Sequence, residues 1–270
     1  MKKLILYFGK LLSNNKKFVS FCKLIVMYNS NDCNSDFYTN GELTLLKSVA
    51  NNSKTILDVG CNIGEYSKEV LLNNYKEKLV VIDALESNID LTNKLLTPIN
   101  KNNASIIYQA SALGEKEMLS NFFVNDDENL SGHNSFYDMK GIGYTESTHN
   151  VTLEIKRLDV ILTQLNIDNV DFMKVDVEGY EMNVLKGADS FLKNGSIKIL
   201  QLEFGHAARA GKFLIKDIND YLFNFGYKGY IVMPKGLEKL IYEPFIENRY
   251  SMINLCFIHY SANTNEIKFL

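Results

Sequence analysis

Apolar residues along this chain follow two rhythms: short runs, unbroken or alternating, and longer stretches where they return every three or four positions. The runs predict strands at Ile56, Leu57 and Val59, then at Leu79–Ile82, Ser105–Gln109, Asn121–Val124, Val151–Ile155, Val170–Val175, Ile197–Phe204, Tyr227–Met233 and Met252–His259. The spaced pattern predicts helices over Glu42–Ala50, from Tyr66 through Val70, Leu71 and Leu72, and from Glu86 through Leu91, Leu95 and Leu96. That third helix should stop before Pro98, because the residue preceding a proline avoids the helical region. Further helices are expected from Leu158, from about Glu178 to Asn194 with Met182, Leu185 and Ala188 inward, and over Asp217–Phe225. Strands alternating with helices give the α/β class, a doubly wound and mostly parallel sheet.

Residues 1–50 precede that alternation and read as a basic, amphipathic, helical N-terminal extension, with the main domain over 51–270. The first thirty-one residues hold six lysines and no acid among apolar positions such as Leu4, Phe8, Leu11, Phe18, Phe21, Leu24 and Ile25. Such a helix packs on a core with its lysines exposed, or lies on an anionic membrane surface, or docks on a partner. Its apolar runs are too interrupted for a spanning helix or a signal peptide.

The whole chain is ordinary for a globular protein, with 270 residues, 46% hydrophobic and 23% charged. A net charge of −3 gives no support to nucleic-acid binding. Four cysteines, Cys22, Cys33, Cys61 and Cys256, form no CxxC pair and no disulfide framework, so a cytoplasmic setting is expected, with membrane association at its inner face left open by the basic extension.

The chemistry concentrates where the first strand ends, in TILDVGCNIGEYS. A strand, a glycine turn and a helix in that order point backbone N–H groups at a ligand. The spacing Asp58-x-Gly60-x-Asn62-x-Gly64 is not the dinucleotide fingerprint, which needs a third glycine. An acid two residues before the first glycine suits a ligand with a cationic amine, as S-adenosylmethionine has. A carboxylate about 20 residues past the turn is where a ribose diol is gripped; Glu86 fits that spacing best and Asp83 is the alternative. Cys61, inside the turn, reads as a small apolar filler.

DVGCNIGEYS, VIDALESN, DFMKVDVEGYEMNVLKGA and QLEFGH, taken in order over roughly Lys54 to His259, resemble the FkbM-type family of S-adenosylmethionine-dependent methyltransferases. Where that family usually has a proline after the ribose acid, this chain has Ser87. The resemblance implies a seven-stranded Rossmann-like sheet, S-adenosylmethionine as cofactor with S-adenosylhomocysteine as product, and O-methylation, often of sugars in polysaccharides, glycolipids or natural products. Cofactor contacts are expected from Asp58, Gly60, Asn62, Gly64, Tyr66, Ser67, Asp83, Glu86, Ser111, Ala112 and Asp176.

The polar segment from Asn125 to Asn150, with HNSFYD and GIGYTESTHN, is expected to face the acceptor, a small molecule or a glycan, because hydroxylated rings need neutral hydrogen-bond partners and a flat apolar face. Asp176, Glu178, Glu203 and His206 are the candidates for removing the hydroxyl proton. Asp176 should point into the cleft while Phe172, Met173 and Val175 supply the packing. The same acids and histidine are compatible with a divalent cation, but no zinc-type spacing commits the chain to a metal. Two other classes stay open, a nicotinamide-dependent oxidoreductase and a non-catalytic binding protein that keeps the fold; oligomeric state is open as well.

Overall fold

A computed structural model describes residues 2–125, 133–140, 147–242 and 251–270. The elements in chain order are α1 (Lys2–Leu12), α2 (Lys16–Asn29), α3 (Glu42–Ala50), β1 (Thr55–Val59), α4 (Glu65–Leu72), β2 (Lys78–Asp83), α5 (Glu86–Leu96), β3 (Ser105–Ala110), β4 (Ala112–Leu113), β5 (Met118–Val124) and β6 (His149–Lys156). There follow α6 (Leu158–Gln164), β7 (Val170–Val175), α7 (Glu181–Gly187), α8 (Asp189–Lys193), β8 (Ile197–Phe204), α9 (Ala208–Gly211), α10 (Ile215–Phe223), β9 (Tyr227–Met233), β10 (Gly236–Lys239) and β11 (Ile253–His259).

The main sheet has the order β10-β9-β11-β8-β7-β1-β2-β3, one strand more than the seven expected because short β10 pairs with β9 at the edge. The run from β8 to β3 is parallel, and β11 inserts antiparallel between β8 and β9. All five residues of β1 are buried, as a central parallel strand covered on both faces requires. Two hydrophobic clusters follow, one centred on Leu57, Met173, Leu200 and Phe257, the other on Ile56, Val81, Phe172 and Cys256. Leu45, Leu46, Val49 and Ala50 of α3 belong to the second cluster, so the chain from α3 onward is part of the core. A second sheet, β4-β6-β5, leans over the carboxyl end of the first.

Three expectations need correction. The helix expected from Glu178 starts at Glu181, because Glu178 (φ 48) and Gly179 (φ 92) are left-handed and cannot open an α-helix; it also breaks at Ala188 into α7 and α8. Leu72 and Leu91, assigned to apolar faces, are 55% and 47% exposed. The second N-terminal helix, α2, does not bury its apolar face on the core, since it contains no buried residue.

Candidate functional site

Three strand ends are tied together at the carboxyl edge of the sheet. The N–H groups of Gly60 and Cys61 both donate to Ile82 O, at 2.8 and 3.1 Å, and Asp176 N donates to Val59 O at 2.9 Å. Gly60 (φ 80), Asn62 (φ 47) and Gly64 (φ 87) all take the left-handed conformation that glycine and asparagine tolerate. A side chain at Gly60 would run into the Asp176 backbone carbonyl, so this glycine sets how closely the turn after β1 meets the loop after β7.

Asp83, at the end of β2, is buried and faces that turn. Its Oδ2 accepts from Asn62 N at 3.0 Å, and its Oδ1 accepts from Leu85 N at 2.9 Å and Asn88 Nδ2 at 3.0 Å. Burial pushes its carboxyl up to about 6 even though those donors favour the anion. Ser111 N donates to Asp83 O at 2.8 Å, which places the start of the next loop alongside.

These groups enclose a cavity of about 150 Å³. Its walls are Val59, Gly60 and Asn62 from the turn, Asp83, Ala84 and Asn88 after β2, Ser111 and Leu113 after β3, and Asp176, Val177, Glu178 and Tyr180 after β7. Phe122 from β5 and Asn134 and Phe136 from the segment that follows it close the cavity. Phe136 lies between Phe122 and Tyr180, with ring centroids 4.9 and 4.7 Å away. The buried Ser135 hydroxyl donates to Glu178 O at 2.7 Å, and Ser135 exchanges backbone hydrogen bonds with Phe123, so the HNSFYD segment is strapped across the site.

Beneath the cavity is a cluster of carboxylates around one buried cation. Lys174 Nζ lies 2.7 Å from Asp176 Oδ2 and 5.2 Å from the centre of the Tyr66 ring. Burial alone would lower the lysine's pKa, but Asp176, Glu42 and Asp58 outweigh it and raise it. Glu42 reaches this region from α3 by accepting from Gln201 Nε2 at 2.5 Å. Asp58 accepts from the Ser67 hydroxyl at 2.6 Å, and burial raises its pKa against the pull of Lys174 and Ser67. The Oδ1 atoms of Asp58 and Asn62 are both buried without a hydrogen-bond partner among the described residues.

A smaller cavity, about 10 Å³, adjoins on the far side of Asp176 and is lined by Glu178, Glu181, Glu203 and Ala207 among others. Glu181 Oε1 accepts from Gly179 N at 3.0 Å and Val177 N at 3.2 Å, buckling the loop that carries Glu178; burial pushes its carboxyl up to about 7. Burial, then the charge of Asp176, pushes Glu203 well above the usual carboxylate range.

Of the residues expected at the site, Gly60, Asn62, Asp83, Ser111, Asp176 and Glu178 line the main cavity, and Glu203 lines the smaller one beside Asp176. Glu86 is exposed at the start of α5 and outside both linings, whereas Asp83 lines the main cavity. Asp58, Gly64, Tyr66, Ser67 and Ala112 support the walls from behind. Gly64 packs against Thr92, with room for no side chain. His206 is exposed and lines neither cavity. The sequence reading missed Lys174, Asn88, Phe122 and Tyr180. In the polar 125–150 segment, Asn134 and Phe136 do reach the cavity, while 126–132 and 141–146, with Asp126, Asp127 and Glu128, lie outside the described residues. Among the described residues no group of three His, Cys, Asp or Glu is placed to hold a metal ion.

Known proteins bear on this site. Methyltransferase 1 of Beauveria bassiana (strain ARSEF 2860) is 47% identical over 45 residues, a segment that spans 16% of this chain and 18% of that protein. Among solved structures, the methyltransferase domain of bacterial CtHen1-C is 12% identical with a TM-score of 0.44, covering 81% of this chain and 97% of that one. The O-methyltransferase from Bacillus cereus in complex with SAH is 11% identical with a TM-score of 0.40, covering 94% and 96%. The Methyltransferase FkbM domain matches residues 58–228, which hold the glycine turn, Asp83, the HNSFYD strap, the Lys174–Asp176 pair and Glu203. On that match over more than half its length, the chain belongs to the FkbM methyltransferase domain family.

Proposed function

We propose that this chain is an S-adenosylmethionine-dependent O-methyltransferase whose acceptor is a hydroxyl of a carbohydrate. The observation that carries the reading is the single cavity in which the glycine turn, Asp83, Ser111 and Asp176 meet at the carboxyl edge of a doubly wound sheet. The cavity offers acceptors: the Asp83 carboxylate, the Asn62 Oδ1, which has no partner among the described residues, and Asp176. S-adenosylmethionine is donor-rich and cationic, with an ammonium, a ribose diol and an adenine amine, so these residues fit it. Asp83 would hold the ribose, Ser111 and Leu113 would wall the adenine, and Asp176 would neutralise the ammonium end. When bound, the group supplies an electrophilic methyl on its sulfonium.

Methyl transfer to a hydroxyl then asks this chain for alignment of the oxygen and removal of its proton. Asp176 and Glu178 stand at the cavity wall for the second task. Alignment falls to Phe122, Phe136 and Tyr180, whose faces suit a sugar ring, and to the amides of Asn88 and Asn134, which suit its hydroxyls. Calorimetry with S-adenosylhomocysteine and NADH tests the cofactor; binding of NADH alone moves the chain to the oxidoreductase class. Incubation with labelled S-adenosylmethionine and a panel of nucleotide sugars, glycans and phenols tests the acceptor, and label on phenols alone defeats the carbohydrate reading.

A further inference from the structure

Charge and apolarity are segregated at the amino terminus. Residues 1–31 hold six lysines and no Asp or Glu, in a chain whose overall charge is −3, so the rest of the molecule is the acidic part. In α2, Phe21, Leu24, Ile25 and Tyr28 fall at i, i+3, i+4 and i+7, one stripe of the helix, and are 59%, 49%, 52% and 85% exposed. Leu6 and Leu11 of α1 are exposed too. No described helix is long and apolar enough to cross a membrane.

A bare apolar stripe among cations alone is the pattern of a helix that lies in a membrane interface. Every cation in the segment is lysine, a point charge that needs no fixed partner geometry, and that suits a diffuse anionic surface better than a defined set of protein carboxylates, for which arginine's fork is the better match.

The place where the helices leave the body gives the surface a direction. Just past α2, the buried Asn31 donates through Nδ2 to Asn40 O at 2.6 Å and to Val232 O at 3.1 Å, and Cys33 N donates to Met252 O at 2.8 Å. Met252 precedes Ile253, which pairs with Phe204, the last residue of β8. The helical pair is therefore rooted at the carboxyl edge of the sheet, the edge that carries Asp176 and Glu178.

We propose that α1 and α2 dock this protein on an anionic phospholipid bilayer, with the stripe in the headgroup layer and the lysines against the lipid phosphates and carboxylates, so that the cavity's edge lies beside the membrane. The test is co-sedimentation of the full chain with vesicles of phosphatidylcholine, with and without phosphatidylserine, at low and high salt. Binding is expected only with phosphatidylserine and should weaken as salt rises. At about fivefold per lysine, a Lys16→Gln/Lys17→Gln/Lys23→Gln variant should lose about a hundredfold in partitioning. Phe21→Ser/Ile25→Ser should abolish binding with an unchanged melting temperature, since both side chains are exposed. Equal binding to both vesicles, or an unaffected triple-lysine variant, overturns the proposal. So does a wild-type chain that ignores vesicles and forms concentration-dependent dimers abolished by the stripe variant, which makes a second copy the occupant.

Discussion

Lys174 and Asp176 lie two residues apart where β7 gives way to its loop, and their side chains form an ion pair with Nζ 2.7 Å from Oδ2. The lysine side chain is only 9% exposed, and Glu42 and Asp58 converge on it as well. Removing one member of a buried pair typically costs about 3 to 5 kcal/mol, because the charges left behind stay desolvated. Lys174→Met, which keeps the stem and deletes the charge, is expected to destabilise the fold by about that much in urea unfolding. A loss within error of zero would mean the surrounding acids are already neutral when the lysine is absent.

On the proposed reading Asp83 holds the ribose, so its ionisation should set ligand affinity. Its carboxyl, pushed up to about 6, is half protonated in mildly acidic solution, and a ribose diol needs the anion as acceptor. The affinity for S-adenosylhomocysteine should therefore rise about tenfold between about pH 5 and about pH 7, the change in ionised fraction across that window. Asp83→Asn should flatten this dependence and weaken binding throughout, whereas Glu86→Ala should leave affinity near the wild-type value. Calorimetric titrations of the three proteins decide between the two acids.

The strands and most helices were legible in the sequence because a doubly wound sheet buries its parallel strands on both faces and leaves long apolar runs. Val170–Val175 and Ile197–Phe204 appear in the structure with the expected bounds. The glycine turn was legible too, since Gly60 and Asn62 are there for their backbone angles. What stayed hidden depends on contacts between distant parts of the chain. Nothing local marks Lys174 as the partner of Glu42, or Gln201 as a link between Glu42 and Asn254. Spacing favours Glu86 for the ribose, and only the structure shows that Glu86 opens α5 with its side chain exposed while β2 ends on the buried Asp83. The left-handed Glu178 was read as helical because an acid is common at helix starts, and only the backbone reveals otherwise.

Glu181 makes a prediction about stability and pH. Burial raises its pKa from the ordinary 4.5 to about 7, so across that interval the native state holds a proton that the unfolded chain has released. The folded state must then give up stability as pH rises through the window. Glu181→Gln keeps an oxygen for the Val177 and Gly179 N–H groups and cannot ionise. It should raise the melting temperature at about pH 8, on the order of 1 to 3 kcal/mol in stability, and leave it almost unchanged at about pH 4.5. A destabilised variant at the higher pH would show that the anion is needed to hold the loop.

The remaining prediction assigns the proton acceptor. Asp176 was expected to matter for turnover and little for folding, its strand being packed by Phe172, Met173 and Val175. The ion pair with Lys174 changes the second half of that expectation, because Asp176→Asn also removes a charge from a buried cation. Glu42 and Asp58 still face Lys174, so the variant should lose about 1 to 3 kcal/mol, less than Lys174→Met, and remain folded. Its rate should fall about 100-fold or more, the usual scale for removing a positioned acid–base group. Glu203→Gln is the informative comparison: Glu203 lies on the far side of Asp176, lines the smaller cavity and not the main one, and burial raises its pKa above the usual carboxylate range. It should keep most of its turnover. Single-turnover rates alongside S-adenosylhomocysteine affinity separate the two duties of Asp176, since a pure base variant retains affinity and an ammonium partner loses it. Near-wild-type turnover in Asp176→Asn would move the base to Glu178, the other carboxylate on the main cavity wall, where a left-handed backbone holds it.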